Sequence, residues 1–289
     1  MPYPEELQLL VERELEGLTF SSEPGTARLV ETMRYSLLAG GKRIRPVLAL
    51  ATARAIGRDE HDMLPLAAGI ELIHTYSLIH DDLPAMDDDA MRRGRPTAHV
   101  AFGEDVAILA GDGLYAEAFR HILTHQQGEP RAVLEAMREL AAATGVEGMV
   151  GGQYMDVAGQ PRDADDLRRL HELKTGRLIG ASVECVLLLN GMNRADTSDF
   201  REFAAELGVL FQIVDDILDV TGTDAALGKP QGSDERHGKR TYVSEFGLDG
   251  ARDLAARSHR QARASLHAAA PNGAPELEQI TDFIATRSS

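Results

Sequence analysis

The sequence predicts an all-α protein that folds as one large helical bundle. Apolar residues recur at helical spacing along most of the 289 residues. The chain shows no alternating strand pattern, no repeat of fixed period and no linker-like stretch, and Gly and Pro separate the helical segments. We therefore expect a single domain over residues 1–289, with its site in the bundle core between facing helices.

Each helix is predicted from its own apolar periodicity and its flanking breakers. Asp163 and Ser198 carry side chains of the kind that cap helix N-termini. A loop over 222–241 has a length that in compact domains usually signals function or disorder. The predicted helices cover residues 5–18, 26–39, 46–56, 63–82, 104–125, 129–149, 163–189, 197–221, 248–268 and 274–286.

The composition excludes several classes of function. Acidic residues outnumber basic ones by 46 to 30, and the net charge of −16 argues against nucleic-acid binding. The single cysteine, Cys185, excludes an internal disulfide framework and fits a reducing compartment. No apolar run approaches the roughly 18 to 20 residues that span a bilayer, and the N-terminus does not resemble a signal peptide. We therefore expect a cytoplasmic protein without stable membrane anchoring.

Five carboxylates directly follow an apolar helical segment near residue 80. Pro84 is expected to end or kink that helix, which would let Asp87 or Asp88 fold back toward the first pair of aspartates. Four polar residues of the segment share one face of an ideal helix at about 100° per residue: Glu71, His74, Asp81 and Asp82.

A second acidic helix face lies far downstream, with Gly208 one turn below it. Unpaired carboxylates this close repel one another and need positive charge among them. Sites made of oxygen ligands suit Mg²⁺, which typically takes one or two carboxylates together with substrate phosphates. Two such faces predict a clamp for divalent ions around a polyanion, although either run alone also fits a solvated acidic loop. The second face consists of Gln212, Asp215, Asp216 and Asp219.

A basic loop lies between two predicted helices. Gly40 and Gly41 are expected to end one helix, and Pro46 to begin the next. Lys42 and Arg45 would then lie beside a helix N-terminus, which favours anions, and the arginine fork suits phosphate oxygens. This stretch alone leaves open a basic turn that pairs with an acidic surface.

These motifs, in this order, resemble those of the trans-isoprenyl diphosphate synthases, most closely the bacterial farnesyl diphosphate synthases. The resemblance covers nearly the whole chain. It implies the isoprenoid synthase fold, an all-α bundle with its active site in a central cavity between two aspartate-rich helices, and a Mg²⁺-dependent prenyltransferase. The matching segments are 40–46, Asp81-Asp82-x4-Asp87 with Arg92-Arg93-Gly94, 151–156, Lys174-Thr175-Gly176 and Asp215-Asp216-x2-Asp219.

The resemblance implies a role for each matching residue. The residues expected to bind metal are Asp81, Asp82, Asp87, Asp215 and Asp219. The resemblance implies three Mg²⁺ ions when substrate is bound, with Mn²⁺ as an alternative. Binding of isopentenyl diphosphate falls to Gly41, Lys42, Arg45, His74 and Arg93. Binding of the allylic substrate falls to Arg92, Lys174, Gln212, Lys229 and Lys239. The residues expected to act in catalysis are Asp81, Asp82, Arg92, Lys174, Thr175, Gln212, Asp215, Lys229 and Lys239.

Two further segments match the family. Gln153 and Asp156 lie one helical turn apart and are expected to support a metal-bound water or to position Lys174. The 222–241 loop, which carries Lys229, Asp234 and Lys239, is expected to cover the phosphates as a lid.

The implied reaction condenses isopentenyl diphosphate with dimethylallyl and then geranyl diphosphate to give farnesyl diphosphate. Tyr76 lies five residues before Asp81, where short-chain enzymes place an aromatic residue, and the small Ser77 follows it. On an ideal helix Tyr76 points about 140° away from Asp81, so it forms the pocket floor only if the helix bends or its side chain leans back. A core or interface tyrosine, and a C20 or C10 product, remain alternatives.

Three other functions are weaker alternatives. A terpene cyclase has no second diphosphate site. The presence of Lys42, Arg45 and Arg93 therefore argues against a cyclase. An inactive partner subunit typically loses one acidic motif, and both are present here. A metal-binding acidic scaffold leaves the ordered basic motifs unexplained. The resemblance also implies a homodimer whose ligands are isopentenyl and allylic diphosphates.

Overall fold

A computed structural model describes residues 3–159, 161–222 and 239–287, and it confirms the predicted all-α class. Two 3₁₀ turns, Pro24–Thr26 and Glu60–Met63, and one π-helical segment, Glu172–Gly176, supplement the α-helices. The described α-helices are α1 (Glu5–Gly17), α2 (Ala27–Leu37), α3 (Ile44–Ala55), α4 (Leu64–Asp81), α5 (Ala98–Phe102), α6 (Glu104–His125), α7 (Pro130–Thr144), α8 (Met149–Ala158), α9 (Ala164–His171), α10 (Arg177–Leu189), α11 (Ser198–Thr221), α12 (Tyr242–Ala269) and α13 (Pro275–Thr286).

The structure corrects several predicted boundaries. Helix α3 begins at Ile44, so Pro46 is its third residue, a position whose N–H has no intrahelical partner in any helix. The helix predicted over 129–149 ends at Thr144, and α8 is a separate helix that the periodicity did not resolve. Helix α12 begins at Tyr242, earlier than predicted, and bends at Gly247, whose φ of 72° lies in the left-handed region.

A short hairpin follows the first aspartate motif. Strands β1 (Met91–Arg92) and β2 (Arg95–Pro96) pair antiparallel, and the turn between them uses positive φ at Arg93 and Gly94. Strands of two residues are too short to show an alternating pattern, which explains why the sequence did not predict them. The predicted 222–241 lid, with Lys229 and Asp234, lies outside the described residues except for its first residue and its last three.

Helices α4 and α10 run through the middle of the bundle. Helix α4 packs on α3 and α6, and α10 packs on α3, α7 and α11. Apolar side chains such as Leu66, Ile70 and Leu72 are fully buried there, and each contributes roughly 1.5–3 kcal/mol to folding. A smaller cluster of Leu167, Ile213, Tyr242 and Ala251 joins α9, α11 and α12.

The N-terminal and C-terminal helices are joined at one arginine of α3. Arg54 forms ion pairs with Glu6 of α1, Glu60 and Glu276 of α13, the last at 3.0 Å. One apolar cluster extends from Tyr3 to Ile284 and includes residues of both termini. Within the described ranges, none of the helices is long and apolar enough to cross a membrane.

Candidate active site

A cavity of about 590 Å³ lies between the C-terminal end of α4, α8, the π segment and α11. Both acidic motifs contribute side chains to its lining, the first from the end of α4 and the second from α11. Among the residues predicted for the site, those that line this cavity are Arg45, His74, Tyr76, Ser77, Asp81, Asp87, Gln153, Asp156, Lys174, Thr175, Gln212, Asp215, Asp216, Asp219 and Lys239.

The first acidic motif folds back at the end of α4. The helix ends at Asp81, three residues before Pro84. The backbone N–H of Asp87 donates to the carbonyl oxygen of Asp81 at 2.9 Å, which brings both side chains to the cavity. Burial, with Asp87 nearby, raises the pKa of Asp81 to about 6 although Lys174 opposes the shift. Asp88, at φ 51°, is exposed and lies outside the cavity lining.

Asp82 lies in a different environment from Asp81. Its carboxylate accepts from Arg92 Nε at 2.7 Å, in a small pocket under the hairpin, and neither residue lines the cavity. Burial raises the pKa of Asp82 although Arg92 opposes the shift. Glu71 also turns away from the cavity, because its carboxylate pairs with Arg43. The single face predicted for α4 is therefore split, and only His74 and Asp81 of its four polar residues reach the cavity.

A chain of alternating charges crosses the cavity wall. Lys174 Nζ donates to Asp156 Oδ2 at 2.5 Å, and Lys239 Nζ lies 3.3 Å from the same oxygen. Lys239 Nζ also donates to Asp87 Oδ1 at 2.8 Å. Burial raises the pKa of Asp156, but the two lysines outweigh burial and lower this pKa below its ordinary value. Asp156 is thus in direct contact with Lys174, as expected for a residue that positions it. Lys239 connects α8 to the first acidic motif.

Glycines allow the helices to approach the π segment closely. A Cβ added at Gly152 would lie 2.2 Å from the backbone nitrogen of Lys174, so only glycine fits that position. A Cβ added at Gly208 of α11 would lie 3.0 Å from Gly176 Cα. The wider π turn at Glu172–Gly176 is of a kind often found at functional sites. Together these contacts hold Lys174 and Thr175 at the cavity surface.

The second acidic motif is tied to the same segment by hydrogen bonds. Thr175 Oγ1 donates to Gln212 Oε1 at 3.1 Å, and Gln212 Nε2 donates to Asp216 Oδ1 at 2.8 Å. The other oxygen of Asp216 accepts from the backbone N–H of Tyr242 at 2.7 Å. Asp216 is therefore fully used in positioning Gln212 and the start of α12, whereas Asp215 is exposed to the cavity.

Basic side chains gather at one end of the cavity. Arg45 Nη1 lies 3.3 Å from His74 Nε2, and because a guanidinium only donates, this His74 nitrogen accepts. Burial, reinforced by Arg45, lowers the pKa of His74 well below its usual value. Both Arg45 and Arg287 lie over the ring of Phe211, with Arg287 Cζ at 4.2 Å from the ring centre. Among the described residues Arg45 Nε has no hydrogen-bond partner, which leaves a buried donor beside the cavity.

The remaining residues of the basic loop do not line the cavity. Lys42 Nζ lies over the rings of Tyr3 and Phe283, at 5.8 and 5.3 Å. The hydroxyl of Tyr3 donates to the Lys42 carbonyl oxygen at 2.7 Å, and Arg93 donates to the Gly40 carbonyl. Gly41, at φ 122°, lies so close to Arg93 that a Cβ would be 2.8 Å from its Cζ.

The buried side chain of Arg43 anchors the basic loop between α2 and α3. The residue adopts the left-handed region at φ 54°, directly before α3. Its buried guanidinium donates to Glu71 Oε1 at 2.6 Å, to Glu12 Oε1 at 2.8 Å and to the carbonyl of Leu37 at 2.7 Å. These bonds hold the backbone between α2 and α3, so that Arg45 points into the cavity.

An aromatic cluster packs beside the cavity, on the α4 turns that precede Asp81. Tyr76 borders the cavity and makes edge contacts with His80 and with Tyr115 of α6, at ring distances of 5.4 and 5.0 Å. Tyr115 in turn contacts Phe119 at 5.3 Å. Tyr76 therefore reaches the cavity despite its angle on an ideal helix, because the cavity wraps around α4.

The sequence reasoning assigned no role to Phe211 and His171, which line the cavity, or to Arg287, which pairs with Asp215. Arg287 Nη2 lies 3.2 Å from Asp215 Oδ1, and Phe211 carries the stacked arginines. His171 lines the cavity one turn before Lys174. In the sequence, Arg287 is visible only as a basic residue after the last predicted helix, and Phe211 only as an aromatic residue beside Gln212. Their proximity to Asp215 depends on the fold.

The carboxylates of the cavity fit a hard divalent cation. Asp81, Asp87, Asp215 and Asp219 offer oxygen ligands only, which suits Mg²⁺, and the raised pKa of Asp81 marks a carboxylate that lacks full compensation. In the part of the chain that the structure describes, Asp59, Glu60 and His61 are the only converging group of three metal-type ligands. That group is a surface turn in which Asp59 caps the turn and Glu60 binds Arg54.

Comparisons with known proteins found related sequences and similar structures over most of the chain. The sequence profile described as polyprenyl synthetase matches residues 26–276. Farnesyl diphosphate synthase of Geobacillus stearothermophilus is 46% identical over 267 residues, covering 91% of this chain and 90% of that protein. The large subunit 1 of the heterodimeric chloroplastic geranylgeranyl pyrophosphate synthase of Arabidopsis thaliana is 42% identical, covering 97% and 77%. A Helicobacter pylori geranyltransferase, solved with magnesium and isoprenyl diphosphate, superposes with a TM-score of 0.86 at 31% identity, covering 98% and 97%.

Proposed function

The chain belongs to the polyprenyl synthetase family and is a prenyltransferase that makes a trans-prenyl diphosphate, and from this premise we propose that its main product is farnesyl diphosphate. The enzyme would condense isopentenyl diphosphate first with dimethylallyl diphosphate and then with geranyl diphosphate. The observation that carries the proposal is Tyr76, which borders the cavity below Asp81 and is backed by Tyr115.

Isopentenyl diphosphate is assigned to the basic end of the cavity. The unpaired Nε of Arg45 offers a charge-assisted donor to a phosphate oxygen. His74, with its lowered pKa, is neutral at pH 7 and holds the Arg45 guanidinium. Lys42 and Arg93 are assigned to the same diphosphate, although neither lines the cavity. Both belong to the same loop region as Arg45, since Arg93 donates to the Gly40 carbonyl and Lys42 lies three residues before Arg45.

The allylic diphosphate is assigned to the acidic end. Lys174 and Lys239, which pair with Asp156 and Asp87, would exchange part of these contacts for phosphate oxygens. Mg²⁺ held by the cavity aspartates would supply further positive charge where the leaving group becomes more negative. Arg92, bound to Asp82, is assigned to the same diphosphate from under the hairpin.

The reaction then needs stabilisation of a cation without a nucleophile. The C1–O bond of the allylic substrate breaks, and its electron pair leaves with the diphosphate. The double bond of isopentenyl diphosphate attacks the cation, a C–C bond forms, and the proton lost from C2 passes to the released diphosphate. The Thr175 hydroxyl and the Gln212 carbonyl, joined at 3.1 Å, present partial negative charge at this point.

Product length is the finer part of the proposal. Extra methylenes gain roughly 0.8 kcal/mol each on burial, so elongation stops only where a side chain blocks the growing tail. Tyr76, packed on Tyr115 and His80, is the bulky group available below Asp81. Geranylgeranyl diphosphate is the second candidate, because a synthase of that product is nearly as similar as the farnesyl enzymes.

One assay tests this proposal. The purified protein is incubated with Mg²⁺, isopentenyl diphosphate and dimethylallyl diphosphate, and the products are resolved by chain length. Farnesyl diphosphate as the main product supports the proposal. A C20 main product moves the protein to the geranylgeranyl class, a cyclic hydrocarbon indicates a cyclase, and absence of any condensation contradicts a prenyl diphosphate synthase.

The other finer expectations are also part of the proposal. We assign three Mg²⁺ ions to the complex with substrate, with Mn²⁺ as a substitute, and a homodimer as the assembly. A single domain over 1–289 is supported by the apolar cluster that includes both Tyr3 and Ile284. A cytoplasmic location and a lid over 222–241 stay predictions.

A further inference from the structure

His171 is a half-buried histidine whose two ring nitrogens are themselves buried. It ends α9, directly before the π segment, and lines the cavity. Within the described part of the chain, neither Nδ1 nor Nε2 makes a hydrogen bond. Buried polar groups in native proteins almost always have a partner, and an unpaired one costs about 1–3 kcal/mol. An unpaired imidazole at the surface of a substrate cavity therefore points to a ligand.

Stacking fixes the plane of this ring. His171 lies on Tyr242 with ring centres 5.4 Å apart and an interplanar angle of 24°. Tyr242 is itself held, because its backbone N–H donates to Asp216 at 2.7 Å and its ring stacks on Phe246. The imidazole is thus pre-positioned by the same aspartate that orients Gln212.

The charges around His171 are those of the diphosphate end of the cavity. Asp156, Lys174, Asp215 and Lys239 all act on it electrostatically, and burial is the largest influence. Burial lowers the pKa of His171 to about 4, so the ring is neutral at pH 7 and carries one N–H donor. No apolar tail needs such a donor, whereas phosphate oxygens accept several.

We propose that His171 donates its ring N–H to the diphosphate group of the allylic substrate, beside Lys174 and Lys239. It is then a substrate-binding residue for the leaving group, and no proton is transferred in this contact. The inference rests on the proposed function, since it takes an allylic diphosphate as the ligand of this end of the cavity. It adds to that function a neutral residue that donates a hydrogen bond to the diphosphate without adding positive charge.

Two variants distinguish the contribution of the N–H donor from that of the stacked ring. His171→Phe keeps a planar ring on Tyr242 but removes both nitrogens, and His171→Asn keeps an N–H donor on a shorter side chain. His125→Phe is the matched control, because His125 is exposed on α6 and outside the cavity. The dissociation constant of inorganic pyrophosphate with Mg²⁺ is measured by calorimetry for each protein, together with kcat and KM for geranyl diphosphate and the melting temperature.

His171→Phe is expected to bind pyrophosphate about tenfold more weakly or worse, the range for losing a hydrogen bond to a charged group. His171→Asn should recover part of this loss, and His125→Phe should match the wild type. Wild-type affinity and turnover in His171→Phe overturn the inference. If wild-type protein binds pyrophosphate but condenses no substrates, the proposed function fails while the binding comparison still decides the role of His171.

A readout in the unmutated protein covers the case in which both variants unfold. The ¹⁵N resonances of the His171 imidazole are followed during titration with pyrophosphate and Mg²⁺. A donor to phosphate shifts its N–H nitrogen on saturation, and unchanged resonances contradict the proposed contact.

Discussion

Asp81 is the aspartate of the cavity wall whose proton affinity is altered most clearly by folding. Its pKa rises from 3.8 to about 6, chiefly through burial. The folded protein therefore binds the proton more tightly than the unfolded chain, and ionisation of Asp81 destabilises the fold. This cost is absent below pH 3.8, grows between pH 3.8 and 6, and is constant above, at roughly 3 kcal/mol or less.

Asp81→Asn is accordingly expected to be clearly more stable than the wild type at pH 8 and close to it at pH 4, when metal is removed with EDTA. The measurement is the free energy of unfolding in urea at both values of pH. A stability difference that does not change between pH 4 and 8 would show that the charge of Asp81 is already compensated in the folded protein.

Asp81→Ala and Asp215→Ala are expected to reduce kcat by far more than tenfold, which corresponds to about 1.4 kcal/mol of barrier. Both carboxylates line the cavity, so each substitution removes negative charge from the proposed site of the metal ions and the diphosphate. Their melting temperatures should not fall far below that of the wild type, and without metal at pH 8 that of Asp81→Ala should rise, because a destabilising charge is removed. Asp249→Ala, an exposed aspartate of α12, is the control, and a variant of either cavity aspartate that keeps more than a tenth of the activity contradicts the clamp.

At the scale of elements, the site depends on how closely α8 approaches the π segment. A Cβ at Gly152 would lie 2.2 Å from the Lys174 nitrogen, so Gly152→Ala must push the two segments apart. Such overpacking typically costs 1–3 kcal/mol, and here it also displaces Lys174. We expect a lower melting temperature and a reduced kcat.

Gly180→Ala is the matched control for this prediction. Gly180 lies inside α10, and a Cβ there meets nothing within 4 Å. Alanine is the better helix former by about 1 kcal/mol, so this variant should be as stable as the wild type or more stable. Equal effects of the two substitutions would indicate that the approach of α8 to Lys174 is not critical.

The contact between α4 and α6 sets the expected product length. Tyr76→Ala removes the ring that packs on Tyr115 and opens space below Asp81. We expect C20 and longer products from this variant when chain lengths are resolved. Tyr35→Ala, which removes an aromatic ring outside the cavity, should leave the distribution unchanged. An unchanged distribution in Tyr76→Ala places the floor elsewhere.

At the scale of the whole molecule, one helix face is left apolar and exposed. Leu109 and Leu123, two heptads apart on α6, are 55% and 56% exposed. A second copy of the chain would cover such a face, as the predicted homodimer requires. Sedimentation is expected to give about twice the chain mass of 31.4 kDa, and Leu109→Glu with Leu123→Glu should give the monomer.

Leu9→Glu is the control for this experiment. Leu9 is 60% exposed but lies on α1 and is not part of the exposed α6 face. It should therefore leave the sedimentation of the wild type unchanged. A wild-type protein that sediments as a monomer at micromolar concentration argues against the dimer.

The sequence by itself determined the helical class, most helix positions and the two acidic motifs. These features depend on residues close in the chain: periodicity places apolar side chains on one face, and Pro84 stops α4 wherever that helix packs. It also brought His74, Asp81, Asp215 and Lys174 into one candidate site, because each belongs to a short motif. All four line the cavity.

Only the tertiary structure decided which neighbours these side chains meet. Asp81 and Asp82 are adjacent in the chain, yet one faces the cavity and the other binds Arg92 under a hairpin of two-residue strands. Arg287 reaches Asp215 across 72 positions. The angular position on an ideal helix sets the direction of a side chain, but its partner depends on packing between helices that are distant in sequence.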